Sequence, residues 1–231
     1  MTLEQAAWLI LGLNAIALAF TLAAFVAGGV RRRAATIIGV SGVLWLFVLR
    51  ALLSNGEPFP EDIGGTAFFA IVLLSVALVG ALLLAPASMR RPLADMDQTW
   101  LLAPQGIRVF FGATFLLWAG EGLLPRTFGV IDGFTHVTAG FLGLIAAWAV
   151  ARDRNATRMP WIANLFGLGD ILVVATSIAY VLLGDIGPHH PMMYAVFAPA
   201  PVWLWLHVVS IGRLLGIGTA LDATRLTTAS A

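Results

Sequence analysis

Long apolar runs alternate with short polar breaks along this chain. Seven runs stand out, at about 6–29, 35–54, 65–86, 106–124, 129–151, 160–184 and 199–219. Each is close to the ~20 residues that a helix needs to cross the hydrocarbon of a bilayer. Apolar positions are continuous rather than alternating, which predicts helices and not barrel strands. The expected fold is an all-α, polytopic integral membrane protein. It is one bundle of seven transmembrane helices, forming a single domain over 1–231.

The polar breaks carry an asymmetric charge. Arg31, Arg32, Arg33, Arg90, Arg91, Arg152, Arg154, Arg158 and Arg225 fall on one side of a seven-span arrangement. The other side holds Arg126 with Glu57, Glu61, Asp62 and Asp185. Arginine-rich loops stay cytoplasmic, so the amino end is predicted outside and the carboxyl end inside. Glu4 precedes the first run and arginines follow it, the reverse of a signal peptide. Loop 87–105 is the longest expected internal connection, and 54–64 is a turn-rich external one. Trp8, Trp100, Trp161 and Trp203 lie near run ends, where interfacial anchors belong. Residues 222–231 read as a frayed tail.

Composition narrows the function. The chain is 60% hydrophobic and 11% charged, against roughly 25% charged in soluble domains. Its partner is therefore the lipid bilayer, and the expected location is a bacterial-type inner or plasma membrane. A net charge of +1 offers nothing to nucleic acid. All thirteen basic residues are arginine, so a lysine-linked retinal has no attachment point. The absence of cysteine removes disulfides, thiolate metal sites and iron–sulfur clusters.

Against this background a few ionisable residues stand inside the runs, where each costs a few kcal/mol and marks a functional site by default. They are Arg50, Glu121, Asp132, His136, Asp170 and His207. Arg50 and Glu121 sit near outer run ends, within reach of headgroups or water. Arg108 and Arg213, toward inner ends, snorkel or pair internally on the same reasoning. Asn14 and the small residues of the first run read as packing. Asp132 and His136 are four apart and share a helix face. That pair suits a divalent metal such as Zn, Mn or Fe, or a carboxylate-oriented proton relay. His207 gains weight only if it meets His136. Asp170 is predicted near the midplane. Along straight helices it and Asp132 differ in depth by roughly 13 Å.

Outside the runs, His189 and His190 precede Met192 and Met193. Imidazole with thioether suits copper delivery to an outward cavity, while the plain alternative is a proline-stiffened loop.

Phe128-Gly129-Val130-Ile131-Asp132 and Phe166-Gly167-Leu168-Gly169-Asp170 share F-G-x-x-D, 38 residues apart. Gly167-Leu168-Gly169-Asp170 also resembles the G-L-G-D motif of the intramembrane aspartyl proteases, the presenilin and signal-peptide-peptidase family. The resemblance implies Asp132 and Asp170 as an acid–base pair and Pro199-Ala200-Pro201 as the proline motif. Here Ile131 stands where that family has tyrosine, and Pro201 where it has leucine.

Together these features predict an outward-facing intramembrane site of Asp132, His136, Asp170, His207 and Glu121. Its expected ligand is a proton or small metal cation, in a transporter or binding protein. A membrane-embedded hydrolase, metal-dependent or aspartyl, and a non-catalytic subunit or receptor are the alternatives.

Overall fold

A computed structural model describes residues 1–55, 59–153 and 157–217. Glu57, Arg154, Arg225 and the 222–231 tail lie outside the described residues. Helices account for the chain, with no strand among the described residues. In order they are α1 Leu3–Ala27, α2 Arg32–Asn55, α3 Gly65–Leu84, α4 Ala87–Asp95, α5 Gln98–Leu102 and α6 Arg108–Gly120. Then follow α7 Arg126–Ala151, α8 Arg158–Ser177, α9 Leu183–Ile186, α10 Met193–Phe197 and α11 Pro199–Leu214. A 3-10 turn, Ala103–Ile107, joins α5 to α6, and a π-helical turn, Ile178–Leu182, joins α8 to α9.

Local chemistry sets several ends. Thr2 and Gln5 form a capping box at the start of α1. The Asp97 carboxylate accepts the Thr99 amide and opens α5. Gly187, with φ 72°, ends α9 in a conformation only glycine adopts cheaply.

Six helical stretches are long and apolar enough to cross a membrane: Leu3–Ala27, Arg32–Ser54, Gly65–Leu84, Gln98–Gly120, Arg126–Ala151 and Arg158–Ile186. Their outer surface is the reverse of a soluble protein's. Phe47 is 71% exposed and Val181 73%, while Arg108 is fully buried. α11 has 16 residues, about 24 Å, short of the roughly 30 Å hydrocarbon core.

The fourth span differs most from the sequence expectation. Loop 87–105 is largely helical, and the span begins at Gln98, not near 106. Gln98, Gln105 and Pro104 lower the hydropathy and mimic a loop. Their side chains are buried, and the helix passes Pro104 by tightening to 3-10 geometry. Trp203 is likewise no interfacial anchor, being 1% exposed in the core. Trp8 and Trp100 are exposed, as anchors should be.

α6 and α7 form the tightest seam. A Cβ on Gly112 would lie 2.4 Å from the Gly133 carbonyl oxygen, and one on Gly133 would lie 2.9 Å from the Gly112 oxygen. Small residues allow this approach where lipid gives no hydrophobic drive to helix pairing. α7 packs against α6 on one side and α8 on another, and α8 meets α11. α2 is peripheral, packed on α1 and α10.

Candidate functional site: a buried Asp–His–Asp group on an arginine

Asp132 and His136 project from one face of α7, as their spacing predicts. His136 Nδ1 lies 2.9 Å from Asp132 Oδ1 and 3.2 Å from Asp170 Oδ2 of α8. One donor atom from each of the three residues falls within 4.8 Å of the others, and all three residues are buried. The aspartates of both F-G-x-x-D segments therefore reach one point. This overturns the 13 Å depth offset, which assumed helices along the membrane normal. The stretch Arg158–Ile186 has 29 residues, about 43 Å, and fits a ~30 Å core only when tilted.

The imidazole contacts are close but poorly directed. Both carboxylate oxygens of Asp132 and the Nδ1 of His136 lack a hydrogen-bond partner among the described residues. One carboxylate and one ring nitrogen thus lie together, buried and without hydrogen bonds.

Arg108 stands on the far side of Asp170. Its Nη2 donates a short hydrogen bond to Asp170 Oδ2. Its Nη1 lies 3.2 Å from the Gly167 carbonyl, 3.3 Å from His207 Nε2 and 3.4 Å from Gln105 Oε1. The guanidinium also stacks 5.5 Å from the Trp203 ring. Being 0% exposed, Arg108 does not snorkel; it pairs internally, and only its Nε lacks a hydrogen-bond partner among the described residues. Gly167 makes room for this arrangement, since a Cβ there would sit 2.5 Å from His207 Nε2.

A file of hydrogen bonds continues from Arg108. His207 Nδ1 donates to Asn164 Oδ1 at 2.9 Å, and Asn164 Nδ2 donates to Ser210 Oγ at 2.6 Å. Ser210 Oγ donates to Gln98 Oε1, and Gln98 Nε2 returns a bond to the Ser210 carbonyl at 2.9 Å. His207 therefore joins the group only through Arg108.

Of the two expectations for Arg108, snorkelling and internal pairing, the structure shows the second, while Gln98, Gln105 and Asn164 join the site unexpectedly. A signal existed. Gln98, Gln105 and Arg108 recur at helical spacing, as do His207 and Ser210, whereas Asn164 and Asp170, six apart, do not share a face.

The other candidates lie elsewhere. Glu121 is half-exposed and meets the Met1 amino group at 3.0 Å. Arg50 pairs with Glu4 at 2.7 Å and stacks on Trp8. His189 is half-buried, edge-on to Phe59. His190 Nε2 donates to the Leu123 carbonyl at 3.0 Å, and its Nδ1 accepts the Met192 amide at 3.1 Å. With both nitrogens engaged, His190 clamps its loop and presents no free ligand atom.

Burial pushes the His190 pKa down to about 4, partly offset by the Leu123 bond. The unfolded value is near 6.5. Stability is therefore full above about pH 6.5 and falls as pH drops toward 4, by about 3 kcal/mol in all. Unfolding midpoints in detergent across that window should show this slope in the native chain. His190→Gln should remove about that much of the slope.

One family match spans this whole site. Residues 66–215 match the family described as Domain of unknown function (DUF8737). The chain belongs to this family. The DUF8737 match contains Gln98, Arg108, Asp132, His136, Asn164, Asp170, His207 and Ser210, and leaves α1 and α2 outside. No curated protein and no solved structure matches the chain.

Proposed function

We propose that the protein is a membrane-embedded binding protein for a divalent metal cation, held by Asp132, His136 and Asp170. The carrying observation is the convergence of three buried ligand side chains, of which Asp132 with both oxygens and His136 with Nδ1 have no hydrogen bond to satisfy them. Such atoms cost several kcal/mol in hydrocarbon unless something pairs them. Ligands held 2.0–2.2 Å from one tetrahedral ion lie about 3.4 Å from each other, close to the 2.9 and 3.2 Å spacings. One imidazole with two carboxylates suits Zn or Mn, with a coordination position left over.

Charge supports a cation as well. Two buried carboxylates face one buried guanidinium, which leaves one negative charge when both histidines are neutral. Arg108 on the inner side repels a second cation, which favours binding over open passage. His136 also walls a cavity of about 60 Å³ between α3, α8, α10 and α11, so the site has an approach lined mostly by apolar groups.

In the same reading the chain crosses the membrane seven times, amino end out. α10 and α11 form the seventh span, broken at Ala198-Pro199, where proline supplies no amide. Helix breaks at membrane depth are tolerated where they border cavities inside the protein.

Metal content tests the proposal. The purified chain, stripped with chelator and equilibrated with zinc or manganese, should retain one equivalent by elemental analysis. Asp132→Asn and Asp170→Asn should bind metal more than about 100-fold more weakly, the loss of a direct ligand exceeding the 10–100-fold typical of outer-shell partners. Retention unchanged in both variants would sink the metal site. Proton uptake on the same residues, with no metal retained, would replace it with a proton site.

A further inference from the structure

A second and larger cavity, of about 260 Å³, lies between α1, α2, α3 and the α10–α11 junction. It is separate from the cation group, although Trp203 borders both. At one end stand Asn14, Trp45 and Ser75; at the other stand Phe25, Ile38 and Leu82. Asn14 and Phe25 are eleven residues apart on α1, so the slot runs about 16 Å along the helices. That places it inside hydrocarbon for most of its length.

Its shape follows from how α2 is held. Gly39 and Gly42 take Leu22 and Leu18 of α1 at contact distance, and this seam draws α2 against α1. The slot separates α2 from α3. Leu78 and Leu82 on its α3 side are exposed on the lipid-facing surface, so the mouth opens sideways to the bilayer.

The polar end is specific. Asn14 is 2% exposed in the middle of a transmembrane helix. Its Nδ2 donates to the Tyr194 carbonyl at 3.2 Å, while its Oδ1 has no partner among the described residues. Leaving a carboxamide oxygen unbonded in hydrocarbon is costly.

We infer that this slot binds a single-chain amphiphile from the bilayer, its hydroxyl donating to Asn14 and its chain running toward Phe25. By proportion to the ~150 Å³ cavity that takes benzene, the volume suits a body of about ten carbons. The cation reading is not needed for this site, and its failure would leave the slot untouched.

The test uses the full chain in lipid nanodiscs, photolysed with a ten-carbon alcohol bearing a mid-chain diazirine. The matching diazirine alkane is the control, and labelled residues are mapped by mass spectrometry. The alcohol should label Leu18, Val79 and Val202 about fivefold more than the alkane, the effect of one hydrogen bond. Asn14→Leu should abolish that preference while keeping the alkane's labelling. Val79→Phe, which fills the slot, should suppress both probes.

Equal labelling by alcohol and alkane in the native chain overturns the inference without need of any variant. So does labelling spread evenly onto lipid-facing Phe47 and Leu74, which would mean ordinary annular lipid. Persistence of slot labelling in a folded Val79→Phe protein would also overturn it.

Discussion

Arg108→Leu should cost about 3–5 kcal/mol of stability, the usual result of stranding a buried charge by removing its partner. Arg108 is fully buried, and its guanidinium pairs with Asp170 while bonding Gly167, Gln105 and His207. Its removal leaves Asp132 and Asp170 facing each other across His136 with no fixed positive charge. A loss of that size is a large share of the ~5–15 kcal/mol by which a domain is stable. Denaturation by SDS in mixed micelles should show a large fall in midpoint.

The double change Arg108→Leu with Asp170→Leu separates charge from packing. Apolar residues of similar volume often replace a buried ion pair at little cost. The double variant should therefore recover most of the lost stability while failing to retain metal. If Arg108→Leu alone costs under about 1 kcal/mol, the guanidinium is not the counter-charge described here.

Gly112→Ala should be the second large effect, although it adds only one methyl group. The new carbon would sit 2.4 Å from the Gly133 carbonyl oxygen and 2.8 Å from the Val137 amide nitrogen. Both obstacles are backbone, so no side chain can swing aside and α6 must move off α7. Overpacking of this kind costs about 1–3 kcal/mol. Because α6 carries Arg108 and α7 carries Asp132 and His136, metal retention should fall along with stability. Gly12→Ala on α1 is the control, since a Cβ there meets nothing within 4 Å. Its midpoint should stay level or rise slightly, as alanine favours helix over glycine by about 1 kcal/mol.

Most of the architecture was readable from hydropathy, because a helix in lipid must be apolar over its whole length. Six spans follow from that rule. The rule failed where polar side chains turned inward. Gln98, Gln105 and Arg108 lower the average of the fourth span, yet Gln105 meets Arg108 and Gln98 meets Ser210, both inside the bundle. The Asp132–His136 face was legible because i and i+4 always meet on a helix. The approach of Asp170 was not, because it depends on helix tilt, which span length bounds but does not specify. The choice between snorkelling and internal pairing was open for Arg108 for a related reason. Distance from a helix end says whether an arginine can snorkel, but not which way its face points.

The hydrogen-bond file running from Arg108 to Gln98 has a fixed sense. A guanidinium can only donate, so His207 Nε2 must accept and the proton sits on Nδ1. That choice turns the Asn164 oxygen toward His207, leaves its nitrogen to donate to Ser210, and sends the Ser210 proton to Gln98. The far end is fixed in the same sense, because the Ser210 carbonyl can only accept and holds Gln98 Nε2. The file is thus pinned at both ends, by a guanidinium that can only donate and by a carbonyl that can only accept. Loss of either one leaves the other to hold the direction, so each proton along the file has a single place.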